Sequence, residues 1–209
     1  MAGQCGCSKT TFEGLDDRYI KILWIIIAIN GIMFFVEMLA GYAAQSQALK
    51  ADALDFLGDT LTYGLSLWVI GKSITLRTNA ALLKSFSLLA MSLMVLTTTI
   101  YRIFVLGSPD AMTMSSIAIL ALSANLLSVL LLFKYKDGDS NIRSVWLCSR
   151  NDAIGNLGVL AAGVAVWWLH SPWPDLLVAL LMSGLFFSSA RQIFIQARAE
   201  QNEMLDATT

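Results

Sequence analysis

The chain has 209 residues, of which 56% are hydrophobic and 14% are charged, and its formal net charge is -1 at pH 7. Its mean hydropathy of +0.66 is too high for a soluble domain and indicates an integral membrane protein surrounded by lipid. The sequence has no basic run of the kind that binds nucleic acid, so we expect no nucleic-acid partner. The first 17 residues are polar and lack an apolar core, so we expect no cleavable signal peptide.

Six apolar segments are long enough to span a membrane, since a spanning helix requires about 20 apolar residues. Polar stretches, several with Gly or Pro, separate these segments and predict turns. The expected fold class is an all-α membrane protein with six transmembrane helices. We expect three parts: an N-terminal tail at 1–17, a six-helix domain at 18–198 and a short C-terminal tail at 199–209. The six segments are 19–43, 48–70, 80–106, 112–133, 144–169 and 174–196.

Lysine and arginine are concentrated in alternate connections between the segments. The opposite connections are nearly free of them, with Lys50 as the exception at 44–50. The positive-inside rule therefore predicts that both termini are cytoplasmic, and we expect a bacterial-type inner membrane. The basic residues on the predicted cytoplasmic side are Lys9, Arg18, Lys21, Lys72, Arg77, Lys134, Lys136, Arg143, Arg191 and Arg198.

The second segment carries three acids in an otherwise apolar stretch. Asp52, Asp55 and Asp59 are three and four residues apart, so on a helix all three project from one face. An acid at the centre of a membrane helix costs roughly 2.5–3.5 kcal/mol on insertion scales. Acids retained at this cost indicate cation binding, proton transfer or both.

The fifth segment carries a matching polar face, because Cys148, Asp152 and Asn156 recur every four residues. A thiolate and a carboxylate on one helix, opposite two carboxylates on another, would give four ligands around one ion. The candidate ligands are therefore Asp55, Asp59, Cys148 and Asp152, which suit tetrahedral zinc or a similar divalent metal. The sulfur favours zinc, cadmium or cobalt, whereas the carboxylates favour harder ions such as iron or manganese. The alternative is that Cys148 is a small apolar filler.

Three further polar residues have two readings each. Asp52 is either a carboxylate that supports the ligands or part of a proton path, or else it is the partner of Lys50 near the extracytoplasmic mouth. Glu37 in the first segment has the same ambiguity, and an acid at this depth is expected to face the bundle interior. Asn156 is either an interhelical hydrogen-bonding residue or a neutral oxygen donor to the ion.

The three cysteines, Cys5, Cys7 and Cys148, form no disulfide framework, so we expect reduced thiols. Cys5 and Cys7 flank a glycine in the polar N-terminal tail. This pair either captures soft metal ions at the cytoplasmic side as an accessory site or belongs to a tail without a metal role.

The second segment, read from Ser46 to Asp59, resembles that of the cation diffusion facilitators, which are six-helix exporters of divalent metals driven by proton antiport. Their second helix carries His or Asp followed four residues later by Asp, and their fifth helix repeats the arrangement. Asp55 and Asp59 match the first pair. Cys148 and Asp152 match the second pair, with cysteine where the family usually has His or Asp.

Further matches and some departures accompany these pairs. Family members usually continue into a cytoplasmic domain that dimerises and binds more metal. The present sequence ends at Thr209, and we expect that domain to be lacking. The connection at 76–84 lacks the usual Gly, Arg and Glu pattern, and no histidine run precedes the fifth segment. The supporting matches are Asn30, Glu37, Gly41, Asn125 and Pro174–Asp175.

The resemblance implies a transporter that exports a divalent transition metal from the cytoplasm against protons. The ion is then a cargo, no prosthetic cofactor is expected, and a homodimer is left open as a partner. The sequence contains no nucleophile–base pair and no phosphate-binding loop, so we expect no enzymatic activity. An uptake carrier and a membrane sensor or adaptor that does not transport are the alternatives that sequence leaves open.

Overall fold

The computed structural model describes residues 17–68, 74–105, 107–135 and 140–206, and within these ranges every regular element is helical. The predicted all-α class with six long helices is therefore confirmed for the described part of the chain. A short 3-10 turn, Phe133–Tyr135, follows the fourth helix. The long helices are α1 (Asp17–Ala43), α2 (Gln47–Trp68), α3 (Ile74–Phe104), α4 (Ala111–Leu132), α5 (Ser140–Leu169) and α6 (Trp173–Asp206).

Five stretches of the described residues are long and apolar enough to cross a membrane, which makes the chain a multi-pass membrane protein. The exception among the six helices is α2, because Lys50 and the three aspartates lower its hydropathy. α2 nevertheless packs against α1, α3, α5 and α6, so its polar face lies among the other helices. The five stretches are Asp17–Ala43, Thr78–Phe104, Ala111–Leu132, Cys148–Leu169 and Trp173–Ala199.

The largest differences from the predicted segments are at the start of α3 and the end of α6, and α5 also begins earlier, at Ser140 rather than at 144. α3 begins at Ile74 rather than at 80, so Arg77, which was predicted in a connecting loop, lies within the helix. α6 continues to Asp206 rather than ending near 196. Hydropathy marks only the apolar part of a helix, whereas residues such as Ala, Glu, Gln, Met and Leu extend it beyond the membrane.

The helices associate most closely as three pairs, α1 with α2, α3 with α6, and α4 with α5. Connections 44–46 and 170–172 are too short for anything but antiparallel neighbours. Large apolar side chains cover the outside of the bundle, where lipid would surround it. Among the most exposed are Phe35, Leu39, Leu130, Trp168 and Leu181.

Buried serines join α3 to α6. The Ser92 hydroxyl donates to the Ser183 carbonyl at 3.0 Å, and the Ser183 hydroxyl donates back to the Ser92 carbonyl at 3.0 Å. The Ser85 hydroxyl donates to the Ala190 carbonyl at 2.8 Å. We call Ser85, Ser92 and Ser183 the serine seam. Small residues allow the two backbones to approach, and hydroxyls hold them together.

The start of α2 is anchored by a carboxylate from another helix. Asp175 of α6 accepts the Ser46 hydroxyl at 2.6 Å and the backbone N–H groups of Gln47 and Ala48 at 2.8 and 3.0 Å. Ser46 in turn accepts the N–H of Leu49 at 3.0 Å. A helix N-terminus has free N–H groups and partial positive charge, so a buried carboxylate stabilises it. This anchor fixes the register of α2, the helix that carries the three aspartates.

Candidate metal-transport site

The three aspartates of α2 share one face, as their spacing predicts. Asp52 is fully enclosed at 1% exposure, whereas Asp55 and Asp59 are half-buried. Their face is directed toward α1 and α5, because Asn30 of α1 and Asp152 of α5 both reach Asp59. The acids of α2 therefore lie between helices and not against lipid.

Asp59 is the point at which three helices meet. Its Oδ2 accepts the Tyr63 hydroxyl at 2.9 Å and, at a longer 3.4 Å, the side-chain amide of Asn30. Its carboxyl group also lies within hydrogen-bonding reach of the Asp152 carboxyl on α5. Two carboxyl groups can bond to each other only through a shared proton or a shared cation, since carboxylate oxygens only accept. The Asp59–Asp152 contact therefore requires a proton or a cation between the two groups.

Asp152 and Asn156 leave oxygens available beside this contact. The Asn156 side-chain amide donates to the Asp152 carbonyl oxygen at 3.1 Å, which is a contact within α5. Within the described part of the chain, Asp152 Oδ2 and Asn156 Oδ1 are buried and receive no hydrogen bond. Buried acceptors without donors are costly, and a cation or a proton would satisfy them. Both readings of Asn156 are therefore compatible with its position.

Asp55 lies one turn before Asp59 and is close enough to interact electrostatically with the carboxyl groups of Asp59 and Asp152. Each of these groups repels the others when ionised. A cation between them would remove that repulsion.

Cys148 has a half-buried thiol on the side of α5 that faces Tyr63. It lies close enough to Tyr63 for the two groups to interact electrostatically, and Tyr63 in turn binds Asp59. Cys148 also packs against an apolar cluster, as the filler reading requires. The buried members of that cluster are Tyr19, Leu23, Ile26, Tyr63 and Leu132.

No three His, Cys, Asp or Glu side chains of the described residues converge closely enough to hold a metal ion. The ligand set Asp55, Asp59, Cys148 and Asp152 therefore stays a prediction. What the structure does bring together is Asp59 with Asp152, while Asp55 and Cys148 lie beside them.

The remaining predicted residues have different positions. Glu37 is fully buried and faces Asp52 from α1, so the interior location expected for it is confirmed. The Lys50 ammonium lies 4.5 Å from the centre of the Tyr42 ring, so the group opposite Asp52 is Glu37 and not Lys50. Cys5 and Cys7 lie outside the described residues.

Five acids of α1, α2 and α5 thus lie near one another between the helices. We call them the interior acids: Glu37, Asp52, Asp55, Asp59 and Asp152.

Two residues acquire roles that sequence reasoning missed. Tyr63 donates a hydrogen bond to Asp59, and its position four residues later on the same helix face is the signal that was available. Asp175 was noted only as a family match, and its role as the anchor of α2 has no local signal, because its partners are more than 120 positions away.

A bundle of membrane helices with carboxylates directed toward its interior defines an ion-handling membrane protein. Residues 23–200 match the profile of the cation efflux transmembrane domain. The chain belongs to the cation efflux family.

Similar proteins whose names describe metal transport are consistent with membership of this family. The zinc transporter ZitB of Escherichia coli (strain K12) is 26% identical over 95% of this chain and 67% of its own length. The metal cation efflux system protein CzcD of Cupriavidus metallidurans is 24% identical over 81% of this chain and 56% of its own length. A cadmium, cobalt and zinc/H(+)-K(+) antiporter of Bacillus subtilis is 25% identical over 87% of this chain and 62% of its own length. The chain thus spans between about half and two thirds of these relatives.

Proposed function

We propose that this protein exports divalent transition-metal cations of the zinc, cadmium and cobalt type from the cytoplasm in exchange for protons. It acts as a carrier and not as an enzyme, and the metal is its cargo. The observation that carries the proposal is the contact between the Asp59 and Asp152 carboxyl groups, which joins α2 to α5 inside a membrane bundle.

The exchange follows from competition for the same oxygens. Without metal, the Asp59–Asp152 contact is a hydrogen bond only when one carboxyl is protonated. A divalent ion entering the site needs deprotonated ligands, so it displaces that proton. If the site opens alternately to the two sides, each ion that leaves is replaced by protons. This gives antiport without any further chemical step.

Two features support transition metals as the cargo. Asp55, Asp59 and Asp152 supply anionic oxygens, and Cys148 lies beside Tyr63 on the same side of the bundle. A thiolate favours soft or borderline ions such as Zn²⁺, Cd²⁺ and Co²⁺ over Mg²⁺ and Ca²⁺. The names of the relatives include zinc, cadmium and cobalt.

The position of Cys148 also fits the proposed direction of transport. The distribution of Lys and Arg predicts that both termini are cytoplasmic, and Cys148 would then lie toward the cytoplasmic side, from which the ion enters.

The test uses the full chain in sealed proteoliposomes with a pH-sensitive dye inside. Zn²⁺, Cd²⁺, Co²⁺ and Mn²⁺ are added outside in turn, and metal uptake and proton efflux are recorded together for the wild type and for Cys148→His. We expect proton movement that requires metal, and a changed order of metals in the variant with transport retained. Thr97→Ser is the control, because it removes only an exposed methyl group and keeps the hydroxyl that donates to the Leu93 carbonyl within α3.

Each result separates the alternatives. A sensor or adaptor would bind metal without moving protons across the membrane. A carrier for uptake would show the same coupling, but its net flux with physiological gradients would be inward. An unchanged order of metals in Cys148→His would remove the thiol from the proposed ligand set.

A further inference from the structure

Among the described residues, Glu37, Asp52 and Asp175 are the most completely enclosed acids, and Asp175 already serves as the anchor of α2. Glu37 of α1 is 0% exposed and Asp52 of α2 is 1% exposed. They lie nearer than Asp55 to the end of the bundle where α1 ends and α2 begins. Neither residue belongs to the proposed ligand set.

Within the described residues, no N–H or O–H group donates a hydrogen bond to either Glu37 oxygen or to Asp52 Oδ2. The two carboxyl groups are within hydrogen-bonding reach of each other. Because an ionised carboxylate has no proton to donate, this contact becomes a hydrogen bond only when one carboxyl is protonated. Two ionised carboxylates at this distance in an apolar environment would repel each other strongly.

The packing of α1 on α2 holds the two acids together. Gly41 is one turn after Glu37, and a Cβ atom at this glycine would lie 2.9 Å from Lys50 Cγ and 3.1 Å from the Lys50 backbone nitrogen. Any larger residue would push the helices apart at this point. Gly41 therefore permits the close approach that places Glu37 opposite Asp52.

In the part of the chain that the structure describes, the charged groups near Glu37 and Asp52 do not supply a counter-ion. Asp55 interacts electrostatically with Glu37, and Asp152 interacts electrostatically with Asp52. Asp55 and Asp152 are themselves acids, so neither can balance a negative charge on the pair. Lys50, on the same helix, lies over the Tyr42 ring. Asp175 of α6 is occupied by Ser46 and by the first N–H groups of α2. A proton shared between the Glu37 and Asp52 carboxyl groups would satisfy these enclosed oxygens.

We propose that Glu37 and Asp52 form a proton-binding site, separate from the metal ligands, that holds one proton when metal is absent and releases it when metal binds. This rests on the proposed function in one respect, namely that the cargo binds among Asp55, Asp59 and Asp152. The double positive charge of the ion then lies about one helical turn from the pair. It favours the ionised form of both carboxyl groups, and the proton leaves.

The resting proton is tested by infrared spectroscopy of the purified, metal-free full chain at neutral pH, where a protonated carboxyl gives its own C=O stretching band. In Glu37→Gln, the amide donates a hydrogen bond to Asp52 in place of the shared proton, so Asp52 ionises while the shape is kept. Asp52→Asn does the same from the other side. We expect both variants to lose the same component of the band.

Asp110→Asn is the matched control. Asp110 is exposed in the connection before α4, where its carboxylate accepts the Met112 N–H and the Thr113 hydroxyl. The hydrogen bond from Thr113 lowers the pKa of Asp110, so this acid is ionised at neutral pH and adds nothing to the band. The asparagine variant should leave the spectrum of protonated carboxyl groups unchanged.

Proton release is measured by adding Zn²⁺ to the same proteins in weakly buffered solution. We expect Glu37→Gln and Asp52→Asn to release about one proton fewer per ion than the wild type, with Zn²⁺ affinity within about tenfold, because no ligand has been removed. An infrared band that survives in both variants would overturn the proposal, and so would an unchanged proton count. A wild type that shows both signals but moves no metal in vesicles would overturn the proposed transport and leave the proton site standing.

Discussion

Two of the regions where the bundle buries polar side chains differ in kind: the serine seam between α3 and α6, and the interior acids between α1, α2 and α5. In the seam, each hydroxyl donates to a backbone carbonyl of the facing helix, so every donor has an acceptor. Among the interior acids, acceptors outnumber donors, and within the described residues several oxygens are buried without any hydrogen bond. The seam is complete as it stands, whereas the acids need a cation or protons.

This difference separates a structural use of polarity from a functional one. Interhelical hydrogen bonds of neutral groups in membranes contribute only about 0.6 kcal/mol each on average. Buried acids are destabilising until they are neutralised, so a fold alone gives no reason to keep five of them near one another. Substitutions in the seam should therefore change stability, and substitutions among the acids should change transport.

The largest effect is expected for Asp59→Asn. The amide keeps the shape of Asp59, but it removes the negative charge at the meeting point of α1, α2 and α5. Loss of a supporting partner lowers metal affinity by about 10–100-fold, and loss of a ligand should do at least as much. We expect metal-driven proton flux in proteoliposomes to fall by about a hundredfold or more.

Asp110→Asn serves as the control for this substitution, since it makes the same chemical change on the exposed surface. Thermal unfolding in detergent should show that Asp59→Asn is as stable as the wild type or more so, because a half-buried acid between helices has been replaced by a neutral amide. Transport by Asp59→Asn within about twofold of the wild type would show that the interior acids are not the path of the ion.

The sequence was sufficient to predict the helices and the shared face of the aspartates, because hydropathy and helical spacing are local properties. Asp52, Asp55 and Asp59 occupy the same face of α2 as predicted. The ends of α3 and α6 were missed, because helix propensity continues where hydropathy stops. Hydropathy reflects which residues lie in the bilayer, whereas helix propensity reflects which residues favour a helical backbone, inside the bilayer or outside it.

The contacts between helices could not be derived from spacing. The pairing of Glu37 with Asp52 depends on how closely α1 approaches α2 at Gly41, and Lys50 was an equally good partner in the sequence. The anchoring of α2 by Asp175 joins residues that lie far apart along the chain. Such contacts depend on the packing of the whole bundle, which a single sequence does not specify locally.

A smaller effect is expected for Tyr63→Phe, which removes the 2.9 Å hydrogen bond to Asp59 and keeps the ring. Without this donor, the Asp59 carboxylate is less well oriented toward Asp152. We expect metal affinity, measured by titration calorimetry, to fall about tenfold, with little change in unfolding temperature. Tyr42→Phe is the control, because the Tyr42 ring is exposed and would keep its contact with Lys50. An equal loss in both variants would mean that Tyr63 has no special relation to the ion.

The smallest effect is expected for Ser92→Ala in the serine seam. The variant loses the hydrogen bond to the Ser183 carbonyl, but the Ser183 hydroxyl can still donate to the backbone of residue 92. We expect a destabilisation of about 0.6 kcal/mol in detergent unfolding and transport close to that of the wild type. Ser87→Ala, which removes a hydroxyl that bonds within α3 to Leu83, should change neither. If Ser92→Ala slowed transport more than tenfold without loss of stability, the seam would belong to the transport machinery, and the distinction between the two regions would fail.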